Sequence, residues 1–207
     1  EAIHGRWWAT LAYRLRHWLR PNTRSGSRKN IHAHYDLGND FYRLWLDSTM
    51  TYSSALFEGD LTRSLADAQT AKYARILRTL DVQPGQHILE VGCGWGGFAE
   101  QAVRAGCRVT GITISAAQLE YAQCRIAAAG LQDRVELRLQ DYRDLEGQFD
   151  HVVSIEMFEA VGERYWPGFF SMLRDRLKPG GRALVQSITI AESKLERYRT
   201  GTAFIQQ

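Results

Sequence analysis

Long apolar runs are absent from this sequence of 207 residues. No stretch approaches the roughly 18 to 20 apolar residues that cross a bilayer, and no short apolar segment ends in the cleavage site of a signal peptide. Both absences predict a cytoplasmic protein. Hydrophobic residues make up 44% of the chain and charged residues 24%, a composition that is typical of a globular domain and excludes disorder of the whole chain.

Cysteine pairs are also absent. Cys93, Cys107 and Cys124 lie far apart, without a CxxC pair or a nearby histidine cluster, so neither a disulfide framework nor a zinc site is indicated. His32 and His34 alternate, but no third ligand is visible near them. We therefore predict no metal site.

Basic residues are concentrated in residues 1–30, whose charge of +6 leaves −3 for the rest of the chain. At helical spacing this arm gathers its apolar side chains on one side: Trp7, Trp8, Leu11, Leu15, Trp18 and Leu19. Tryptophan with arginine is typical of an amphipathic helix at a membrane interface. Packing on the protein's own domain is an equal alternative, and the charge alone would also fit nucleic-acid phosphates.

The chain beyond residue 64 alternates helices with short apolar strands. Apolar runs predict strands over 87–92, 108–114, 135–140, 149–155 and 182–190. Helical spacing predicts helices over 64–80, 97–105, 116–129 and 164–176. This alternation predicts an α/β fold whose mostly parallel sheet is covered by helices on both faces. The aromatic stretch over 32–57 predicts irregular helices and loops before the sheet.

A glycine-rich turn follows the first strand, at 90–97 (EVGCGWGG). Its GxGxxG spacing is typical of a turn that lets a nucleoside cofactor approach the main chain and the next helix N-terminus. A dinucleotide enzyme would carry an acid about 20 residues further on, to bind the ribose. The second strand instead ends in GITIS (111–115). With Glu90 before the turn and Asp141 after the third strand, the arrangement resembles class I methyltransferases, which use S-adenosylmethionine.

Seven segments, in order, resemble the cyclopropane fatty acid synthase family. They are HYDLGNDFYRLWL (34–46), MTYSSALFE (50–58), LEVGCGWGGFA (89–99), GITISAAQLEYA (111–122), DYRDL (141–145), SIEMFEAVGERY (154–165) and QSITI (186–190). The resemblance covers roughly residues 28–207. Generic methyltransferases share the glycine turn but not the first and sixth of these segments.

The resemblance implies a class I methyltransferase, Rossmann-like, that transfers methyl from S-adenosylmethionine to the cis double bond of an unsaturated phospholipid acyl chain, forming a cyclopropane. It implies a bound bicarbonate that helps to remove the last proton. It also implies a cytoplasmic protein peripherally associated with the inner face of the membrane, with phospholipid and no nucleic acid as partner, and it leaves a homodimer open.

Eleven residues are implied at the cofactor. Tyr52 and Ser53 would lie near its methionine end, above Gly92, Cys93 and Gly94. The other six would contact the ribose and the adenine or line their pocket: Thr113, Ile114, Gln118, Asp141, Tyr142 and Ile155. Ile114 and Ile155 fit equally well as ordinary core residues.

Three catalytic candidates follow from the same resemblance, and the aromatic segment before the sheet supplies a fourth. Glu159 matches the family's glutamate at the bicarbonate, whereas Ser54 stands where the family has cysteine and Gln186 where it has histidine. The family's tyrosine would fall beyond Gln207. Tyr35 is a candidate for stabilising a cation next to its ring. Ser and Gln donate hydrogen bonds but do not titrate, so a methyl-branched or methylene product stays an alternative to the ring.

Three segments are expected: a basic helix and linker over 1–27, a helical aromatic cover over 28–80, and a methyltransferase core over 81–207. Five strands are visible where the class normally has seven, which predicts that the C-terminal strands are missing from this chain. Two other functions stay open. In the first, the chain is a non-catalytic cofactor- or lipid-binding module. In the second, it is a nucleic-acid methyltransferase that uses the basic arm, although no base-recognition motif is visible.

Overall fold

The structure, a computed structural model, describes residues 38–194. The expected amphipathic helix of the basic arm, His32, His34 and Tyr35 lie outside the described residues, as does the segment 195–207.

Helices and strands alternate through the described part of the chain. The helices are α1 (Gly38–Arg43), α2 (Leu65–Leu80), α3 (Gly97–Arg104), α4 (Ala116–Ala128) and α5 (Trp166–Asp175). The strands are β1 (His87–Val91), β2 (Arg108–Thr113), β3 (Val135–Leu139), β4 (Phe149–Ile155) and β5 (Leu177–Gln186). Two short 3₁₀ turns, Phe158–Ala160 and Glu163–Tyr165, lead from β4 into α5.

The five strands form one parallel sheet in the order β3-β2-β1-β4-β5. The predicted α/β fold with a parallel sheet and flanking helices is confirmed. The order runs in one direction from β1 to β3 and in the other through β4 to β5. In such sheets a crevice opens outside the carboxyl ends of the strands where the order reverses. Here that point lies between β1 and β4.

Alternate strand residues supply the two apolar cores. Ile88 and Val109 pack on one face of the sheet with Phe98 of α3, and Leu89 packs on the other face with Phe169 of α5. Burying one such side chain contributes roughly 1.5–3 kcal/mol. Within residues 38–194 no helix is long and apolar enough to span a membrane.

Two helix starts are fixed by serine side chains. Ser64 caps α2 by accepting a hydrogen bond from the backbone N–H of Asp67, and Ser115 caps α4 in the same way from Gln118. Each cap satisfies one of the N–H groups that a helix start leaves unpaired, an effect of about 1 kcal/mol.

The last strand departs from its predicted bounds of 182–190. β5 begins at Leu177 and ends at Gln186, so residues 187–190 lie beyond it. Pro-Gly-Gly at 179–181 is typical of a turn, but in the structure it lies within β5, where the pairing with β4 is irregular. Phe149 pairs with Leu177 and His151 already with Arg182, so the extra residues of β5 bulge out of the ladder.

Candidate functional site

The site lies at the carboxyl edge of the sheet, around the crevice between β1 and β4. The segments that follow β1, β2, β3 and β4 all emerge at this edge. The segment 51–54 reaches the same edge from in front of α2. These loops carry the residues that the sequence predicts to be functional.

The glycine turn is shaped by its backbone. Gly92 has a φ of +86°, and the N–H groups of Gly92 and Cys93 both donate to the carbonyl oxygen of Ile112, at 3.0 and 2.9 Å. A Cβ on Gly92 would lie 2.9 Å from Cγ of Met157, whereas one on Gly94 would meet nothing within 4 Å. Gly92 is therefore required by packing, and Gly94 faces open space.

Glu90 is a buried acid below this turn, with a side chain 3% exposed. Burial raises the pKa of its carboxyl well above the usual value, although the N–H of Ala99 and the charges of Lys72 and Arg125 act in the opposite direction. Its Oε2 has no hydrogen-bond partner among the residues that the structure describes. A buried oxygen without a donor is costly, so this position suits a cationic or hydrogen-bonding ligand group.

Lys72 of α2 is a buried cation at the same edge, 4% exposed. Its Nζ donates to Oγ of Ser53 at 2.5 Å, and Gln69 donates from the same helix to the Ser53 carbonyl at 2.7 Å. Burial lowers the pKa of Lys72 to about 8, against the nearby charges of Glu156, Asp47 and Glu90, which raise it. The sequence predicts only a helix over 64–80 here and did not single out Lys72 as a site residue; a lysine among the apolar positions of that helix was the available signal.

Thr113 and Gln118 form a buried pair at the end of β2. Oγ1 of Thr113 donates to Oε1 of Gln118 at 2.9 Å and accepts from the N–H of Ser115 at 3.1 Å. The cap by Ser115 fixes the start of α4 and with it Gln118. The two predicted cofactor residues are thus brought together in one network, and Ile114 lies half-buried between them in the chain.

Asp141 is tied to its own loop. Its carboxylate accepts from Nε and Nη2 of Arg143 at 2.8 and 2.6 Å and from the Arg143 backbone N–H at 3.0 Å. Tyr142 packs on Phe169 with ring centroids 5.5 Å apart, and burial raises the pKa of its hydroxyl. Asp141 therefore has a structural task besides its predicted contact with adenine.

Tyr52 belongs to an aromatic cluster beside the glycine turn. Its ring lies 5.1 Å from Trp45 and 5.8 Å from Tyr42, and Tyr42 lies 5.0 Å from the buried Trp95 of the turn. Nε1 of Trp95 donates to Asn39 at 2.7 Å. The aromatic segment before the sheet thus packs directly on the predicted cofactor turn.

Glu156 joins two of the predicted catalytic residues. Its Oε1 accepts from the backbone N–H of Ser54 and from Nε2 of Gln186, both at 2.9 Å, and its own N–H donates to the Gln186 carbonyl at 2.9 Å. Its φ of +49° is unusual for a residue with a side chain and costs about 1–2 kcal/mol. Sequence reasoning missed Glu156, although an acid directly after β4, at the crevice, was a visible signal.

Glu159 reaches the adjacent turn of chain. Its Oε1 accepts from the hydroxyl of Ser187 at 2.9 Å and from the backbone N–H of Ile188. The predicted residues Ser54, Gln186 and Glu159 are therefore gathered where β4 and β5 end, and Ile155 closes β4 beside them. Their assigned roles stay predictions.

Comparison with known families and proteins identifies relatives along almost the whole chain. The family described as mycolic acid cyclopropane synthetase matches residues 22–207. Tuberculostearic acid methyltransferase UfaA1 of Mycobacterium tuberculosis is 42% identical over 95% of this chain and 50% of its own length. Cyclopropane-fatty-acyl-phospholipid synthase of Escherichia coli is 44% identical over 75% of this chain and 39% of its own length.

Solved structures give the same fold. Mycolic acid cyclopropane synthase CmaA1, complexed with SAH and CTAB, has a TM-score of 0.77 and 36% identity, over 86% of this chain and 62% of that one. The cyclopropane synthase MmaA2 from Mycobacterium tuberculosis has a TM-score of 0.77 at 31% identity, over 90% and 64%. The chain spans about half the length of the first curated relative and less than half of the second.

Proposed function

The chain belongs to the mycolic acid cyclopropane synthetase family, and we propose that it transfers methyl from S-adenosylmethionine to the cis double bond of an unsaturated phospholipid acyl chain. One observation carries the proposal. The glycine turn and the positions Ser54, Gln186 and Glu159 meet at one edge of the sheet, so that a cofactor methyl and a reacting double bond would share one crevice.

The residues at this edge fit S-adenosylmethionine. The open space at Gly94 accepts a ligand against the main chain, and the unpartnered Oε2 of buried Glu90 suits the ammonium of the methionine end. We assign the ribose and adenine to Thr113 and Gln118 and to the loop after β3. When bound, the cofactor supplies an electrophilic sulfonium methyl. CmaA1 in complex with SAH supports this assignment.

The chain's own residues then have to orient the double bond and keep water out. The π electrons of the alkene form the new carbon–carbon bond to the methyl, and the carbon–sulfur bond breaks, which leaves a cation on the acyl chain. The rings of Tyr52 and Trp45 lie beside the glycine turn, and the face of an aromatic ring stabilises a neighbouring cation. Loss of one proton completes the reaction.

The proposed product is a cyclopropane, in which the electrons of a C–H bond of the added methyl close the ring. A second candidate is a methylene-branched chain, in which a hydride first shifts from the methylated carbon to the cationic carbon, and the electrons of a methyl C–H bond then form a new double bond. The favouring observation is that Ser54 and Gln186 contribute no titrating side chain and instead hydrogen-bond to Glu156. Both products need the same methyl transfer.

The substrate is proposed to reach the site from a membrane surface. Around α1 several large apolar side chains stay exposed: Phe41 (41%), Leu44 (81%), Trp45 (49%) and Tyr52 (44%). Exposed apolar groups concentrated in this way mark lipid or protein contacts. We assign this face, together with the basic arm over 1–27, to binding of the inner membrane face by a cytoplasmic enzyme. In this proposal the segment over 28–80 covers the active site, and the segment over 81–207 forms the methyltransferase core.

The test is expression at full natural length in a host that lacks its own cyclopropane synthase, with mass spectrometry of fatty acid methyl esters. We expect unsaturated chains to gain the mass of one CH₂ group. Hydrogenation separates the products, because a ring resists mild conditions and a methylene group does not. If no acyl chain gains mass while the folded protein binds S-adenosylhomocysteine, the enzymatic proposal is wrong and the binding-module alternative takes its place.

A further inference from the structure

Two donors for an anion at the end of β5 already bind a side chain of the protein. The backbone N–H of Ser54 and Nε2 of Gln186 both point to one atom, Oε1 of Glu156, at 2.9 Å. The two donors come from positions 54 and 186, which lie on segments far apart in the chain. A single carboxylate oxygen thus binds the main chain of Ser54 and the side chain of Gln186, two of the residues that the family resemblance places at bicarbonate.

A free bicarbonate does not fit this arrangement. It would have to share the Ser54 N–H and Nε2 of Gln186 with Oε1 of Glu156, and it would lie next to a second carboxylate in addition to that of Glu159. Like charges at contact distance disfavour each other strongly in a partly buried site. Glu159, whose carboxylate is bound to Ser187 and Ile188 at the adjoining turn, adds to the negative charge of this edge. The anion of this site is therefore a carboxylate of the protein itself.

The backbone supports a dedicated position for this carboxylate. Glu156 stands immediately after β4 with a φ of +49°, a conformation that favours glycine. Its N–H is fixed on the Gln186 carbonyl at 2.9 Å, so the side chain begins from a defined point. Strained residues that the surroundings hold in place are concentrated at functional sites.

We propose that the carboxylate of Glu156 is the fixed anion of this active site, which takes the place of bicarbonate and accepts the proton released after methyl transfer. The inference rests on the proposed methyl transfer. A C–H bond of the added methyl breaks, and its electron pair closes the ring or, after a hydride shift has moved the cation to the methylated carbon, forms the new double bond. The proton goes to Oε2 of Glu156, while Oε1 keeps its two hydrogen bonds, and it leaves to water when the product departs.

The main test uses the full natural protein, S-adenosylmethionine and vesicles of dioleoyl phosphatidylglycerol in buffer freed of carbon dioxide. The amide of Glu156→Gln still offers an oxygen to both donors but does not take up the proton. General bases contribute about 10²–10⁴-fold, so we expect its rate to fall at least about a hundredfold. Glu146→Gln, which changes an exposed carboxylate elsewhere, is the matched control and should keep the wild-type rate.

Rescue distinguishes a proton acceptor from a structural bridge. Glu156→Gly relieves the left-handed backbone and removes the carboxylate, so we expect a folded but slow variant that added formate or bicarbonate accelerates at least about tenfold. The wild-type rate should not respond to either anion. A wild-type enzyme that stops without carbon dioxide and recovers with bicarbonate would overturn the proposal, as would a Glu156→Gln variant at full rate.

A second measurement needs no lipid. Formate or bicarbonate should raise the melting temperature of Glu156→Gly and leave that of the wild type unchanged, because binding stabilises only a protein with a vacant anion site. An equal rise in both proteins would show that Glu156 does not occupy that site. Absence of methyl transfer by the wild type would instead count against the proposed function, so the two failures are distinguishable.

Discussion

The two halves of the candidate site are held in different ways. At β1 the cofactor half is built from main chain, with the turn N–H groups of Gly92 and Cys93 bound to the Ile112 carbonyl. At β4 and β5 the other half is built around a side chain, with Glu156 between Ser54 and Gln186. The first half should therefore be sensitive to added volume and the second to removed charge.

Lys72 should give the largest effect, because its charge acts on both halves through Glu90 and Glu156. Its pKa of about 8 in the folded protein lies below the ordinary lysine value of 10.5, so below pH 8 burial of the charged form destabilises the fold. As pH rises from 8 towards 10.5 the unfolded chain binds more protons than the folded one, and stability rises. We expect urea unfolding to show a gain of up to about 3 kcal/mol.

The matched variant for this experiment is Lys72→Met, which keeps the length of the side chain and removes the charge. Its free energy of unfolding should lack that rise between pH 8 and 10. Equal pH profiles for the wild type and Lys72→Met would contradict a buried ammonium that couples the two halves.

Gly92→Ala should give an intermediate effect and should act on the cofactor half. The new Cβ would lie 2.9 Å from Met157 at a φ of +86°, so we expect a stability loss of about 1–2 kcal/mol and weaker calorimetric binding of S-adenosylhomocysteine. Gly147→Ala is the control, because its φ is +83° and a Cβ there meets nothing within 4 Å. Unchanged affinity in Gly92→Ala would remove the turn from the cofactor site.

Ser54→Ala should give the smallest effect. Ser54 reaches Glu156 with its backbone N–H, which alanine retains, so we expect the rate of methyl transfer to fall by less than about threefold, or about 0.6 kcal/mol. A large loss of rate would show that the Ser54 hydroxyl itself takes part in the reaction. Ser54 would then act as a direct side-chain donor at the ends of β4 and β5.

The same contrast explains how far the sequence alone predicts this molecule. The parallel sheet and the glycine turn follow from short patterns, because apolar runs and GxGxxG spacing are local properties of the chain. Gln118 could be placed for the same reason, since it lies five residues after Thr113. Their contacts with the cofactor stay predictions.

Glu156 and Lys72 could not be placed in the same way. The bond from Ser54 to Glu156 joins residues 102 positions apart, and it depends on how the segment 51–54 packs against the end of β4. Lys72 fits a helix face by its spacing, and only packing shows that its ammonium is buried among acids. The start of β5 and its register could not be predicted, because Pro-Gly-Gly at 179–181 is typical of a turn and not of a strand interior.

The bulge in β5 has a consequence for how such enzymes diversify. The bulge sets the register of β5 against β4, so that Gln186 pairs with Ile155 at the crevice. Loss of one residue from 179–181 would bring Ser187 to that place and turn Gln186 towards the opposite face of the sheet, because side chains alternate along a strand. A change in length within the bulge would then replace Gln186, a residue proposed to act at the site, without a substitution at any of the proposed catalytic positions.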